Sequence, residues 1–257
     1  MSKVIQVIRA RWPEVLMIVV LQTGLYLLIQ RIGPRLGATV TPGRELALFI
    51  ATVAMLVIVQ MVSVGFMATV PRYSGTRCEP VLLLRIGRYF FWRLIRFELL
   101  MFVFLLAVLS LMLHLFGALL GVSDPNKFPI WAVSLSNVLT LTVLSKPLVL
   151  IPAVMIVCDR MVVEALHYLR RYPLGRVKPV LALFVGLLLL LFGLTLLADL
   201  APSEGLVHQA TLLAYAAVVS VGAFLVGLRA VLFVAERETP PPPPPHADAD
   251  ETTPGGE

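Results

Sequence analysis

The sequence predicts an all-α polytopic membrane protein: six transmembrane helices and two basic amphipathic interfacial elbows within residues 1–238, then a disordered tail over 239–257. Three observations lead there. Only 14% of the 257 residues are charged and 59% are hydrophobic, with a mean hydropathy of +0.92, whereas a soluble domain carries about a quarter charged residues. Several apolar runs exceed the roughly 18 residues that mark a spanning helix. The runs are continuously apolar rather than alternating. In hydrocarbon each must satisfy its own backbone polar groups, which selects helices over a barrel.

Residues 1–12, MSKVIQVIRARW, are basic and amphipathic. Pro13 suits a helix start, and Glu14 to Ile29 is long enough to cross. No small-residue cleavage site follows promptly, so an uncleaved first helix is expected. Gly33-Pro34 and Pro42-Gly43 are turn signals, and span two runs from Leu46 to Val70. The first elbow opens at Pro71 and sets Arg85, Arg88, Arg93 and Arg96 among Tyr89, Trp92 and aliphatic residues at helical spacing. Such a helix lies in the membrane interface, with its arginines snorkelling to headgroups.

Span three is expected from near Phe97 to Val122, followed by a turn at SDPNKFP. Ile130 to Cys158 is too long for one untilted crossing at about 1.5 Å per residue. Lys146-Pro147 and Pro152 therefore predict a kink or two half-helices. The second elbow, Asp159 to Lys178, carries Arg160, Arg170, Arg171, Arg176 and Lys178. Span five is Val180 to Ala198 and span six Gln209 to Ala235. The tail, a proline run followed by acidic and small residues, reads as an extended spacer and then disorder.

Sixteen of the 21 Lys and Arg residues fall in the N-terminal prefix, the two elbows and the end of span six. The positive-inside rule then places both termini in the cytoplasm of a multi-pass protein of the cell membrane. The net charge of +6 and pI near 9.7 point to anionic lipid headgroups. No nucleic-acid motif accompanies the charge, so nucleic acid is not an expected partner. The expected headgroup contacts are Arg85, Arg88, Arg93 and Arg96 on the first elbow and Arg170, Arg171, Arg176 and Lys178 on the second. Cys78 and Cys158 have no histidine cluster beside them, so no metal or cofactor is expected.

Lys146 is the most informative residue within a span. A charge near mid-membrane costs at least about 2.5 kcal/mol and marks a functional candidate. Counting helical rise puts Gln22, Gln60 and Ser220 at comparable depth, with Ser145 adjacent. Together they form a candidate intramembrane polar site, where a proton, ion or headgroup would dock. The plainer account is that the glutamines join helices by hydrogen bonds and that Lys146 uses the Lys-Pro turn to reach carbonyls or water. No Gly-x-Ser-x-Gly, His-Glu-x-x-His or Walker sequence occurs, and no enzyme is expected. The leading expectation is a protein of membrane organisation or complex scaffolding that binds anionic lipid, acting with a membrane protein partner or a second copy of itself. A small transporter or channel built around Lys146 is the alternative, and a lipid-active enzyme stands third.

The stretch LVLIPAVMIVCDRMVVEALHYLRRYPLGRVKP resembles a diverse family of six-span bacterial and archaeal membrane proteins that includes the membrane domain fused to some glycerophosphodiester phosphodiesterases. The resemblance rests on Pro152, Asp159, Ala165-Leu166, Arg170, Gly175 and Arg176. His167 stands where the family typically has Ser. No phosphodiesterase catalytic domain accompanies it, so the resemblance implies a role in the envelope or in membrane organisation.

Overall fold

A computed structural model describes residues 2–32, 42–73, 77–122, 128–200 and 206–238. Nine α-helices occur among them. They are α1 (Ser2–Ala10), α2 (Trp12–Ile32), α3 (Pro42–Thr69), α4 (Pro80–Leu120), α5 (Ile130–Val143), α6 (Ser145–Cys158), α7 (Val162–Tyr168), α8 (Leu174–Leu200) and α9 (Leu206–Ala235). A single 3-10 turn, Leu169–Arg171, follows α7. Among the described residues, five stretches are long and apolar enough to cross a membrane: Trp12–Ile29, Ala47–Thr69, Pro80–Leu120, Leu174–Ala198 and Ala210–Ala235. The α5–α6 pair, bent by 49°, passes the same test only when its two helices are taken together, which gives five spans, or six when the pair counts as one broken span. The expected turn at Gly33-Pro34, Lys127 and the tail from Thr239 lie outside the described residues.

Several element boundaries differ from the sequence expectation: α3 already begins at Pro42-Gly43, where a turn was expected, and both elbows differ. The first elbow and span three are one continuous helix of 41 residues, about 61 Å long at 1.5 Å per residue, or twice the hydrocarbon thickness. No proline interrupts IGRYFFWRLIRFELL, so nothing in the backbone ends the helix where its side-chain character changes. The second elbow is shorter than expected. It comprises α7 and the 3-10 turn, and α8 already begins at Leu174, taking Gly175, Arg176, Lys178 and Pro179 into its first turns. The break in span four is where Lys146-Pro147 places it. Leu144 ends α5, Ser145 begins α6, and Pro147 offers no N–H to the carbonyl four residues back.

The chain divides into two compact units. The first comprises Met1–Leu94, Ala153–Met161 and Val231–Glu257. Here α2 and α3 form an antiparallel hairpin, and the Gln22 amide donates to the Ser63 hydroxyl at 3.1 Å. The close of α3 meets the opening of α4 through two glycines. A methyl at Gly65 would overlap the Leu83 carbonyl, and one at Gly87 would overlap the Met61 carbonyl. Each glycine lies four residues from the carbonyl that the other approaches, so the antiparallel contact is reciprocal. Only a residue without Cβ lets the backbones come this close. Ala153, Val154, Met155, Ile156 and Val157 are all buried, as are Val231, Leu232, Phe233 and Val234. Consecutive burial sweeps a helix's whole circumference, so the ends of α6 and α9 form the enclosed centre of this unit.

The second unit comprises Ile95–Pro152 and Val162–Ala230. In it α5 packs against α8 and buries Ala132, Ser136 and Thr140, a ladder of small side chains at four-residue spacing. A methyl at Gly222 of α9 would overlap the Leu187 side chain of α8. The α4 segment of this unit leaves Leu99, Phe102, Val103, Phe104 and Leu106 exposed, the surface expected of a helix solvated by lipid.

Candidate functional site

The first unit holds a cluster of buried charge where α2, α3, α4 and α6 begin or end. Arg11 occupies the one residue between α1 and α2 and is 1% exposed. Its Nε donates to Glu14 Oε2 at 2.7 Å, its second terminal nitrogen meets the same oxygen, and Nη1 donates to Thr69 Oγ1 at 2.9 Å. The guanidinium also lies over the Phe66 ring, 4.5 Å from the centroid. Glu14 stands in the first turn of α2, where the helix macrodipole favours a carboxylate. Its Oε1 accepts the Cys78 backbone N–H at 2.9 Å. One ion pair thus ties the start of α2 to the end of α3 and to the strand of backbone entering α4. Its geometry is what such burial requires, because desolvating two charges is recovered only when the remaining donors and acceptors are filled.

Arg72, in the turn after α3, joins two helix ends. It donates to the Ala68 carbonyl of α3 at 2.8 Å and to the Ile156 carbonyl of α6 at 3.2 Å, a cation placed on the negative ends of both dipoles. Burial pushes its guanidinium below the usual arginine range, and Asp159 opposes that shift. Asp159 follows α6 directly and has φ of +52°, the only positive φ on a non-glycine among the described residues. Aspartate tolerates this left-handed conformation better than most side chains. The turn ends α6 and presents the carboxylate to α4, where Arg93 Nη1 donates to it at 2.5 Å and the Tyr89 hydroxyl at 3.0 Å.

A basic and aromatic stripe lies outside this cluster. On the opening turns of α4, Leu83, Ile86, Phe90, Phe91 and Leu94 are buried, while Val81, Arg85, Arg88, Tyr89 and Trp92 are exposed. Trp92 is 64% exposed. Arg96, four residues further along the helix, is exposed too. Arg93 differs from its three neighbours, because its ion pair with Asp159 commits it to the cluster. In the second unit Arg170, Arg171, Arg176 and Lys178 are all exposed, and Arg171 stacks over Tyr168 at 4.3 Å.

The residues expected to form an intramembrane polar site divide between the units. Gln22 and Gln60 belong to the first, and Ser145, Lys146 and Ser220 to the second. Ser220 is buried and donates to the Ala216 carbonyl of its own helix at 2.9 Å. Ser145 is buried and Lys146 half-buried at the break between α5 and α6. Lys146 forms no ion pair or hydrogen bond with a described residue. An apolar recess of about 630 Å³ in the second unit is lined by Leu106, Leu113, His114 and Phe128 among others, and the His114 ring faces the Ser110 carbonyl at 3.2 Å.

Comparison with known proteins adds no relative. The chain matches no family model, no curated protein and no solved structure. Sequence reasoning located the α4 stripe but missed the Arg11–Glu14 pair. The one available signal was an Arg and a Glu three residues apart at a helix start, a spacing that also describes an ordinary solvated pair. Nothing local announces that Thr69 and the Cys78 N–H complete the set.

Proposed function

We propose that this protein is a non-enzymatic integral membrane protein that organises the membrane or a complex within it by binding anionic lipid. The exposed stripe on α4 carries the reading. Arg85, Arg88 and Trp92 share the face opposite the buried one in the first unit, and Arg96, in the second, is exposed as well. Arginine above an interfacial tryptophan is the arrangement that pairs with phosphate headgroups while the ring sits at the acyl boundary. Each basic residue near an anionic surface contributes about 1 kcal/mol. The charge cluster serves this role by fixing four helix ends, so that the stripe is held on a rigid support. The positive-inside bias places the stripe and both termini on the cytoplasmic side of the cell membrane.

The test uses Trp92 as the sole tryptophan, in a Trp12→Phe, Trp131→Phe background reconstituted into mixed bilayers. Brominated phosphatidylglycerol should quench Trp92 more strongly than brominated phosphatidylcholine, and Arg85→Gln with Arg88→Gln and Arg96→Gln should abolish the difference. Equal quenching by the two lipids in the parent protein would remove the reading.

A second reading, a small transporter or channel, is favoured by Lys146 at the 49° break between α5 and α6. Half-helix ends within a span offer uncompensated dipoles to a solute. Solute or ion flux in vesicles that disappears in Lys146→Met would support it, and absence of flux in the parent would count against it.

A further inference from the structure

We infer that the acidic tail, residues 239–257, docks on the basic end of the first unit and competes there with anionic lipid. The inference rests on the lipid-binding reading for its consequence, though not for the contact itself. The basic end is defined by bonds among segments 2–14, 70–94, 153–161 and 231–238, which together carry ten Lys or Arg and five Asp or Glu. Two of those acids, Glu14 and Asp159, are consumed inside the charge cluster. The positive excess is on the outside: Arg9, Arg77, Arg85 and Arg88 are exposed.

The chain leaves this same end. Glu236, one residue beyond α9, forms an ion pair with Lys3 of α1 at 3.3 Å, so the first acidic residue after the last helix already pairs with the basic face. Beyond Glu238 the sequence contains no Lys or Arg and carries Asp248, Asp250, Glu251 and Glu257, a charge opposite in sign to the face and close to its excess. Six prolines, Pro240 to Pro245, separate the acids from the last helix. A proline run favours polyproline II, so the ten residues from Glu238 to Asp248 reach about 31 Å at 3.1 Å per residue. Neighbouring helices lie about 8–10 Å apart, so that reach is about three helix widths, enough for the acids to pass beyond Lys3 to other basic residues of the same end. Tethering gives them an effective concentration in the millimolar range.

The experiment uses the full chain in bilayers of neutral lipid, with Trp92 as sole tryptophan and a dansyl probe on Ala249→Cys in a Cys158→Ser background. Energy transfer from Trp92 to the probe is expected at low salt and should fall at high salt, as an exposed contact between opposite charges requires. Arg88→Gln should weaken it. In mixed bilayers, truncation after Glu238 should raise the phosphatidylglycerol preference of Trp92 quenching by about fivefold, one arginine's share of attraction to an anionic surface. Asp248→Asn, Asp250→Asn and Glu251→Gln together should behave like the truncation. Transfer that is absent, or unchanged by salt, overturns the contact, and an anionic preference that is present but equal with and without the tail overturns the competition. Salt-sensitive transfer with no anionic preference in either chain upholds the contact and removes the lipid-binding reading instead.

Discussion

Glu14→Gln tests the charge cluster most directly. The substitution keeps the size and one hydrogen-bonding oxygen of the side chain but removes the negative charge. Arg11, 1% exposed, then stays buried with only Thr69 and the Phe66 ring. Leaving one member of a buried ion pair uncompensated costs about 3–5 kcal/mol. For a chain of this size each kcal/mol moves the midpoint by about 2–4 °C, so a fall of roughly 6–20 °C is expected. The assay is thermal unfolding of the detergent-solubilised protein, followed by tryptophan fluorescence. Arg11→Met combined with Glu14→Gln is the informative companion. It removes both charges while keeping an acceptor for the Cys78 N–H, and it should recover most of the loss, since uncharged replacements of buried pairs are often near neutral. A Glu14→Gln protein that melts with the parent, or a double variant worse than Glu14→Gln alone, would refute the reasoning.

Three further outcomes follow from the same unit. Gly65→Ala and Gly87→Ala each set a methyl against a facing carbonyl and should lower stability by about 1–3 kcal/mol. Gly24→Ala, with nothing within 4 Å of the added carbon, should be neutral or stabilising by up to about 1 kcal/mol; thermal midpoints of the three variants check this. Asp159→Gly should be no milder than Asp159→Asn although glycine suits φ of +52°, because only asparagine keeps an acceptor for Arg93 and Tyr89. The reverse order in the same melts would assign Asp159 to backbone geometry alone. Burial pushes the Cys78 thiol above its usual value of 9.0, with Arg11 partly opposing the shift. Folded-state stability from the neutral thiol is therefore complete below pH 9.0 and is lost as pH rises through the higher folded value. Labelling of Cys78 by a thiol reagent should begin at higher pH than that of an unfolded control, and coincident onsets would contradict it.

The α4 stripe was legible because helical spacing sorts side chains by face wherever a helix forms. Arg85, Arg88, Trp92 and Arg96 follow that spacing in the sequence and are exposed in the fold. Arg93 shows where such reading stops. Its spacing and neighbours are those of the other arginines, yet it pairs with Asp159, 66 positions away. The broken span was legible for a local reason, since a proline withholds its N–H wherever it stands. The continuity of α4 was not, because a change from basic to apolar side chains resembles a boundary although the backbone carries no stop.

Composition and run length by themselves determined that this chain is helical and spans a membrane several times, because hydrocarbon leaves the backbone no other economical way to satisfy its polar groups. They also located its basic segments and its one proline-broken span. All the spans are apolar, however, and nothing in them says which is enclosed and which faces lipid. Only the tertiary structure put the ends of α6 and α9 at the centre of the first unit and left much of α4 exposed. It alone let Gly65 and Gly87 bring two backbones together and sealed Arg11 with Glu14, Thr69 and the Cys78 N–H. Periodicity is a property of neighbours along a helix, whereas burial and charge pairing depend on which helices meet.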